Sequence, residues 1–358
     1  MGVIEKIREK MMWINDILSK KILNTKIARI ILVGACLIGF SFQSFSQQNI
    51  LYSQYVFNTL SINPAYAGYK EAWYLQTAHR MQWAGMSGAP ITTQISIDGL
   101  PNDFTKNVGL GLQLTADKVG AQSATSLYAN YAYRLQLDRA DMSRLCFGLA
   151  AGVSQYATNM SILEPTDPAE PIMAEGINNT YIPDLRFGIY YYKPNFFIGV
   201  SVMDLLSAEK ASSIFKLDVD STSNLMRKQH FYLIAGWLRE LNSYIKFRPS
   251  ITVREDLKGP TNLDLSANFV FGDRFWIGGN YRTGIQLWDK DYLNGTSLSN
   301  LDAVYITAQF QITERIRIGY SYDYSLNQLN SYNNVSHELS FGWIIPGKAK
   351  RILSPRFF

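Results

Sequence analysis

From Trp73 onward, apolar and polar residues alternate in segment after segment, with no stretch of helical period between them. In 304–312 one face holds Val304, Ile306, Ala308, Phe310 and Ile312, and the other Tyr305, Thr307, Gln309 and Gln311. After Thr313-Glu314 the pattern resumes, with Ile316, Ile318, Tyr320, Tyr322 and Tyr324 opposite Arg315, Arg317, Gly319, Ser321 and Asp323. Side chains of a strand point alternately to its two faces. Each segment therefore reads as a strand with one apolar face and one hydrated, partly charged face.

About fourteen such segments are expected, near 73–79, 91–97, 107–116, 123–135, 144–155, 183–192, 196–203, 229–239, 245–254, 262–271, 274–285, 303–312, 315–325 and 335–345. A tilted strand needs about 9–11 residues to cross the hydrocarbon core, so the lengths suit a membrane wall; twelve to sixteen strands are compatible with the same pattern. Connections after even-numbered strands are mostly short (136–143, 193–195, 240–244, 272–273, 313–314), and several after odd-numbered strands are long (80–90, 156–182, 204–228, 286–302). The second connection, 98–106, is longer than a tight turn. Membrane barrels sort their loops in this way; a soluble sandwich has no reason to. The fold class expected is all-β, a transmembrane antiparallel barrel of about 14 strands with both termini periplasmic.

The two faces fit lipid outside and water inside. Val108, Leu110, Leu112 and Leu114 oppose Gly109, Gly111, Gln113 and Thr115, and Leu263, Leu265, Ala267, Phe269 and Phe271 oppose Asp264, Ser266 and Asn268. A cation on the lipid face near the midplane would cost about 2–4 kcal/mol, which assigns the strand cations to the lumen. The candidate lumen charges are Arg134, Arg186, Arg248, Arg254, Arg282, Arg315 and Arg317, with Asp264, Asp323 and Glu338 as partners; Lys246 and Asp184 join them. They serve either an anion or acidic partner, or a rigidifying hydrogen-bonded ladder. Trp73, Tyr133, Tyr191, Trp237, Trp276, Tyr324 and Trp343 lie near strand ends, where interfacial aromatic girdles form.

The start of the chain changes the charge argument. Lys20, Lys21, Lys26 and Arg29 precede the apolar run 30–42, followed by Ser44-Phe45-Ser46. This has the order of an export signal, with cleavage expected after Ser46 and a start at Met11 or Met12 as an alternative. Val33-Gly34-Ala35-Cys36 loosely resembles a lipoprotein box, but the apolar sequence runs on past Cys36. Without 1–46 the chain holds 27 Lys/Arg against 26 Asp/Glu, so its overall basicity gives no support to nucleic-acid binding. Charged residues make up 18% and aromatic residues 13%, the former below the roughly 25% of soluble domains. After Gln47 no stretch approaches about 18 consecutive apolar residues, so no transmembrane helix is expected. Cys146 alone remains beyond the leader. The domains expected are 1–46 signal peptide, 47–72 periplasmic segment or plug, 73–345 outer-membrane barrel and 346–358 periplasmic tail.

Catalytic, metal and cofactor chemistry find no pattern here. His79, His230 and His337 are far apart in separate strands, without the spacing of a metal site. No nucleophile elbow, phosphate-binding loop or zinc-protease motif occurs. The loops 156–182, with Pro165, Pro168 and Pro171, and 204–228 are natural partner-binding elements.

Residues 47–99 and the last five residues carry a family resemblance. Ser53-Gln54-Tyr55 with Phe57-Asn58, the box Ile62, Asn63, Pro64, Ala65, Tyr66, Ala67, Gly68, then Arg80-Met81-Gln82-Trp83-Ala84-Gly85 with Gly88-Ala89-Pro90, and the closing Ser354-Pro355-Arg356-Phe357-Phe358, resemble the boxes of the PorP/SprF family of the type IX secretion system. Thr59 departs from the proline usual there. The resemblance implies a non-enzymatic outer-membrane barrel, embedded in outer-membrane lipid, in protein secretion and gliding motility. Its implied partners are other secretion components, the periplasmic ring among them, and the C-terminal sorting domain of a secreted adhesin. The alternative is a FadL-like or porin-like transport channel. Physically, Asn63-Pro64 terminates strand pairing and fixes a bend, and Gly68 tolerates positive φ or close backbone approach. The box is thus either an ordered plug or collar below the first strand or a turn that starts the barrel.

Overall fold

A computed structural model describes residues 50–102, 106–159, 177–206, 229–257, 260–285, 287, 301–327 and 335–345. The expected leader and its expected cleavage point, the expected C-terminal tail and most of the long loops at 160–176, 207–228 and 288–300 lie outside the described residues.

Fifteen strand segments follow one another: β1 (Tyr74–Met81), β2 (Ile91–Gly99), β3 (Val108–Val119), β4 (Gln122–Gln136), β5 (Arg144–Asn159), β6 (Ile177–Lys193), β7 (Phe196–Met203), β8 (His230–Trp237), β9 (Arg239–Glu240), β10 (Ile245–Glu255), β11 (Thr261–Phe271), β12 (Phe275–Ile285), β13 (Leu301–Gln311), β14 (Ile316–Ser325) and β15 (Val335–Ile344). β8 and β9 are two parts of one stave, since both pair with β10 and Phe247↔Arg239 continues the register of Ser250↔Gly236. Each stave pairs antiparallel with its sequence neighbours, and β15 pairs with β1 from Tyr74↔Ile344 to Met81↔His337. The sheet is a closed barrel of fourteen staves, and all fourteen coincide with the segments expected from alternation.

Alternation becomes geometry directly. On β3, Leu110, Leu112 and Leu114 are exposed outward while Gly109, Gly111, Gln113 and Thr115 are buried inward. On β14, Ile318, Tyr320, Tyr322 and Tyr324 face out and Arg317, Ser321 and Asp323 face in. A closed barrel leaves no unpaired edge, and an apolar outer belt facing lipid is the arrangement of a membrane barrel. Trp276 departs from the girdle expected of it. It turns inward, edge-on to Phe57 at 5.3 Å between ring centroids.

The connections mostly sort by end, but 120–121 and 256–260 are short at the long-connection end and 100–107 is long at the other. Gly120-Ala121 joins β3 to β4 by a two-residue turn at the long-connection end, and Gly120 has φ +55°. At the opposite end the β4–β5 turn is held by Asp138, which accepts from the Met142 and Ser143 amides at 2.9 and 2.6 Å. There the Ser143 hydroxyl and these amides hold the exposed Asp138 carboxyl below its ordinary value.

Candidate functional site

The barrel interior holds residues 50–72 of the same chain. Tyr52, Tyr55, Val56, Leu60, Ile62, Ala65, Tyr66, Ala67 and Tyr69 are buried against Cys146, Tyr190, Phe197 and Ile234 of the wall. The inward polar face, read as enclosing water, thus meets a packed segment, a plug being one of the roles open to residues 47–72 in the sequence.

Three sets of contacts fix this segment from one mouth to the other. Towards the long-connection end, Glu338 accepts from the Ser53 amide at 2.6 Å and the Gln54 amide at 3.1 Å. Arg80 lies between, donating to Asp323 at 2.8 Å, to Glu338 at 3.3 Å and to the Ser53 hydroxyl at 2.7 Å; Ser53 in turn donates to Asp323. Arg80 is the seventh residue of β1, points inward and is 3% exposed, where the sequence reading opened a loop at it.

In the middle, Asn63 donates to the carbonyls of Ile189 and Val200 at 3.0 and 3.3 Å, and accepts from the Ala65 amide at 2.9 Å. It thereby caps the one-turn 3-10 helix Pro64–Tyr66, whose proline occupies the first position. Ser201 donates to the Ile62 carbonyl. Every residue of the Ile62–Gly68 box is buried. Wall glycines receive it: a Cβ on Gly109 would fall on the Ala67 carbonyl, one on Gly148 on the Ala65 backbone, and one on Gly188 on the Asn63 side chain. Gly68, at φ +77°, has both of the properties glycine allows, because its own Cβ would also sit against Leu100 and Gly109.

At the short-turn end an ionic clasp follows. Lys106 bridges Glu71 at 2.9 Å and Asp141 at 3.3 Å, Arg134 lies 3.5 Å from Glu71, and Arg144 pairs with Asp141 at 2.5 Å. Arg134 and Arg144 both donate to the Lys106 carbonyl, at 3.1 and 3.0 Å. Asp98, a β2 residue, accepts from the Gly68 amide at 2.8 Å.

The predicted lumen charges fall into separate groups. Asp264 holds Arg282 at 2.8 Å and Arg254, and accepts from the Tyr305 hydroxyl at 3.2 Å. Arg248 and Arg317 lie over the Phe57 ring at 5.5 and 5.4 Å, a cation–π arrangement with the segment inside the barrel. Arg186 stacks on Tyr128 at 3.3 Å, 3.9 Å from Asp184. Lys246 reaches Asp273 at 2.8 Å. Arg315 stands outside the set, exposed in the turn before β14. The histidines stay apart: His79 meets Thr93 at 2.9 Å, His230 meets Asp204 at 3.2 Å and His337 meets the Tyr320 hydroxyl at 2.8 Å.

Beside Ile50–Tyr52, towards the long-connection end, a cavity of about 410 Å³ remains. The loop after β1 forms part of its rim, with Gln82, Trp83 and Pro90 in the lining. That loop is tied down by Ala84 N to the Val335 carbonyl at 2.8 Å, Trp83 N to the Ser336 hydroxyl at 3.0 Å and Gly120 N to the Gly88 carbonyl at 2.9 Å. Sequence reasoning named the stretch at Ser53-Gln54-Tyr55 and the one that opens at Arg80. It had no signal for their meeting in the lumen through Arg80 and Ser53, because alternation records which way a strand residue faces and says nothing of what fills the interior.

These features define a class: a transmembrane antiparallel β-barrel whose lumen is filled by its own N-terminal segment. A family model described as type IX secretion system membrane protein PorP/SprF matches residues 44–343, and the chain belongs to that family. The closed barrel and this membership fit an outer-membrane protein with a secretion-related role. No curated protein matches. Among solved structures the chain is similar to the CymD monoaromatic hydrocarbon channel, at 10% identity over 82% of this chain and 94% of that one with a TM-score of 0.48. It is also similar to the Ralstonia pickettii toluene transporter TbuX (8%, 80% and 93%, TM-score 0.45) and to a Pseudomonas aeruginosa FadL homologue (10%, 80% and 94%, TM-score 0.42).

Proposed function

We propose that this chain is a non-enzymatic outer-membrane component of type IX secretion that docks or exports a secreted surface adhesin. In this reading it engages the adhesin's C-terminal sorting domain, contacts the periplasmic ring, or does both, with its long connections facing outward. The observation that carries the reading is the family match across 44–343. The filled lumen supports it, because Glu338, Arg80 and Asn63 hold a segment of the chain where a general pore would be open. The test is a strain lacking this protein and any paralogue of it. Surface display of one adhesin or a few should be lost while uptake of small hydrophilic dyes stays unchanged. Intact display in that strain would contradict the reading.

A second reading, transport of small molecules, draws on the cavity of about 410 Å³ beside residues 50–52. It predicts that deletion changes small-molecule permeability and leaves adhesin display intact.

A further inference from the structure

The lumen pairs nearly all of its acids. Asp264, Asp323 and Glu338 have arginines, Glu71 has Lys106 and Arg134, Asp184 has Arg186 and Asp204 has His230. Asp98, held by the Gly68 amide, and Asp117 have no such ion pair, and of these two it is Asp117 that lines the cavity. It lines the cavity from β3 and accepts one hydrogen bond, from the Thr92 hydroxyl at 2.5 Å. Among the described residues no cation lies within ion-pair reach of it.

Four residues before it, on the same inward face of β3, stands Gln113, 4% exposed and also lining the cavity. Its Nε2 reaches Thr115 Oγ1 at 3.5 Å, and its Oε1 has no hydrogen-bond partner. A buried acceptor left unmade costs about 1–3 kcal/mol, and a partly desolvated carboxylate without a counter-charge is costlier still. The cavity therefore presents one carboxylate without a counter-charge, with the unpartnered Gln113 oxygen enclosed behind its wall, where the Tyr52 hydroxyl likewise has no partner. Arg186, the cation on its wall, stacks on Tyr128 and lies 3.9 Å from Asp184, with its Nε enclosed and making no hydrogen bond, and the remaining charged lining is the Asp204–His230 pair. Tyr52, Trp83, Met203 and Tyr232 supply aromatic and thioether surface around these groups. Aromatic rings attract cations within about 6 Å, and a volume of about 300–1,000 Å³ is that of small-ligand sites.

We infer that this cavity binds an ammonium or guanidinium group carried on an apolar stem, with Asp117 as its counter-charge and Gln113 as a second acceptor. Two sources carry that chemistry: a free hydrophobic amine, and an arginine side chain of a polypeptide entering the mouth. The site stands whichever of the two functional readings holds.

Isothermal titration calorimetry of the full chain in detergent micelles tests it, with 4-phenylbutylamine, 4-phenylbutanol, 4-phenylbutyrate and N-acetyl-Ala-Arg-Ala-amide as probes. The amine or the arginine peptide should bind about tenfold or more tighter than the alcohol and the acid. Binding by the amine alone identifies a small-molecule site, and binding by the peptide identifies a polypeptide site. Asp117→Asn should weaken the preferred probe by about tenfold or more, and Asp117→Glu should restore part of it. If Asp117→Asn loses the heat-modifiable migration of a folded barrel, Gln113→Leu provides the same comparison at the second acceptor. Equal binding of amine, alcohol and acid, unchanged binding by a folded Asp117→Asn chain, or no binding of either cation would overturn the proposal.

Discussion

Arg80 joins the wall to the segment inside it, because one guanidinium serves Asp323, Glu338 and Ser53 together. Breaking a buried ion pair on one side leaves uncompensated charge, at a cost of about 3–5 kcal/mol. Arg80→Met should lower the unfolding free energy of the barrel, measured by urea titration in lipid vesicles, by that amount, and Arg80→Met with Asp323→Asn and Glu338→Gln should recover a large part of it. No recovery would show that the charges do not act together. The glycine sockets are equally local. Gly148→Val should drive the Ala65 backbone off the wall, whereas Gly279→Ala, which has nothing within 4 Å of its new Cβ, should leave stability within about 0.5 kcal/mol of the parent. Thermal unfolding followed by heat-modifiable migration compares the two. Residues of this kind were partly legible in the sequence. Arg282, Arg254 and Asp264 could be assigned inward because their strands alternate cleanly. Arg80 could not, since the outward row of β1 contains Thr77 and His79 and the apolar pattern stops before the strand does. Gly109 and Gly148 look like any small inward residue until a backbone is found against them. Arg315 was assigned to the lumen by parity, but it belongs to the turn, where parity has no meaning.

At the scale of elements, the strands were readable because one face meets lipid and the other does not, which forces period two on every stave. Residues 50–72 carry no such period. Their partners lie far off in sequence, 285 residues between Ser53 and Glu338 and 126 between Asn63 and Ile189, so nothing local records them. The Asn-Pro box fixed a bend in the reading, and the structure adds what the bend is for. Asn63 caps the 3-10 turn and ties it to two neighbouring staves, β6 and β7. Asn63→Ala removes three hydrogen bonds and leaves buried carbonyls with fewer donors, at about 1–3 kcal/mol. Amide hydrogen exchange across 54–68 should accelerate in this variant while exchange in β10–β14 is unchanged. Uniform acceleration across the barrel would instead mean that the segment and the wall unfold as one unit.

For the whole molecule, fourteen staves begin and end at the same mouth, as an even count requires. The segment before β1 adds a further traverse. Ile50 lines the long-connection cavity, and Ile345, bonded through its amide to the Trp73 carbonyl at 2.8 Å, lies at the short-turn mouth. An argument from strand number alone, from which both termini were expected in the periplasm, does not count that crossing. The crossing is also what closes the barrel, by contacts at both mouths and along the glycine-lined middle. Single-channel recording in planar bilayers tests this most directly, comparing the parent chain with one lacking residues 50–68. The parent should show no steady conductance, and the shortened chain should conduct continuously. Steady conductance of the parent at the level of the shortened chain would contradict a lumen filled by its own N-terminal segment.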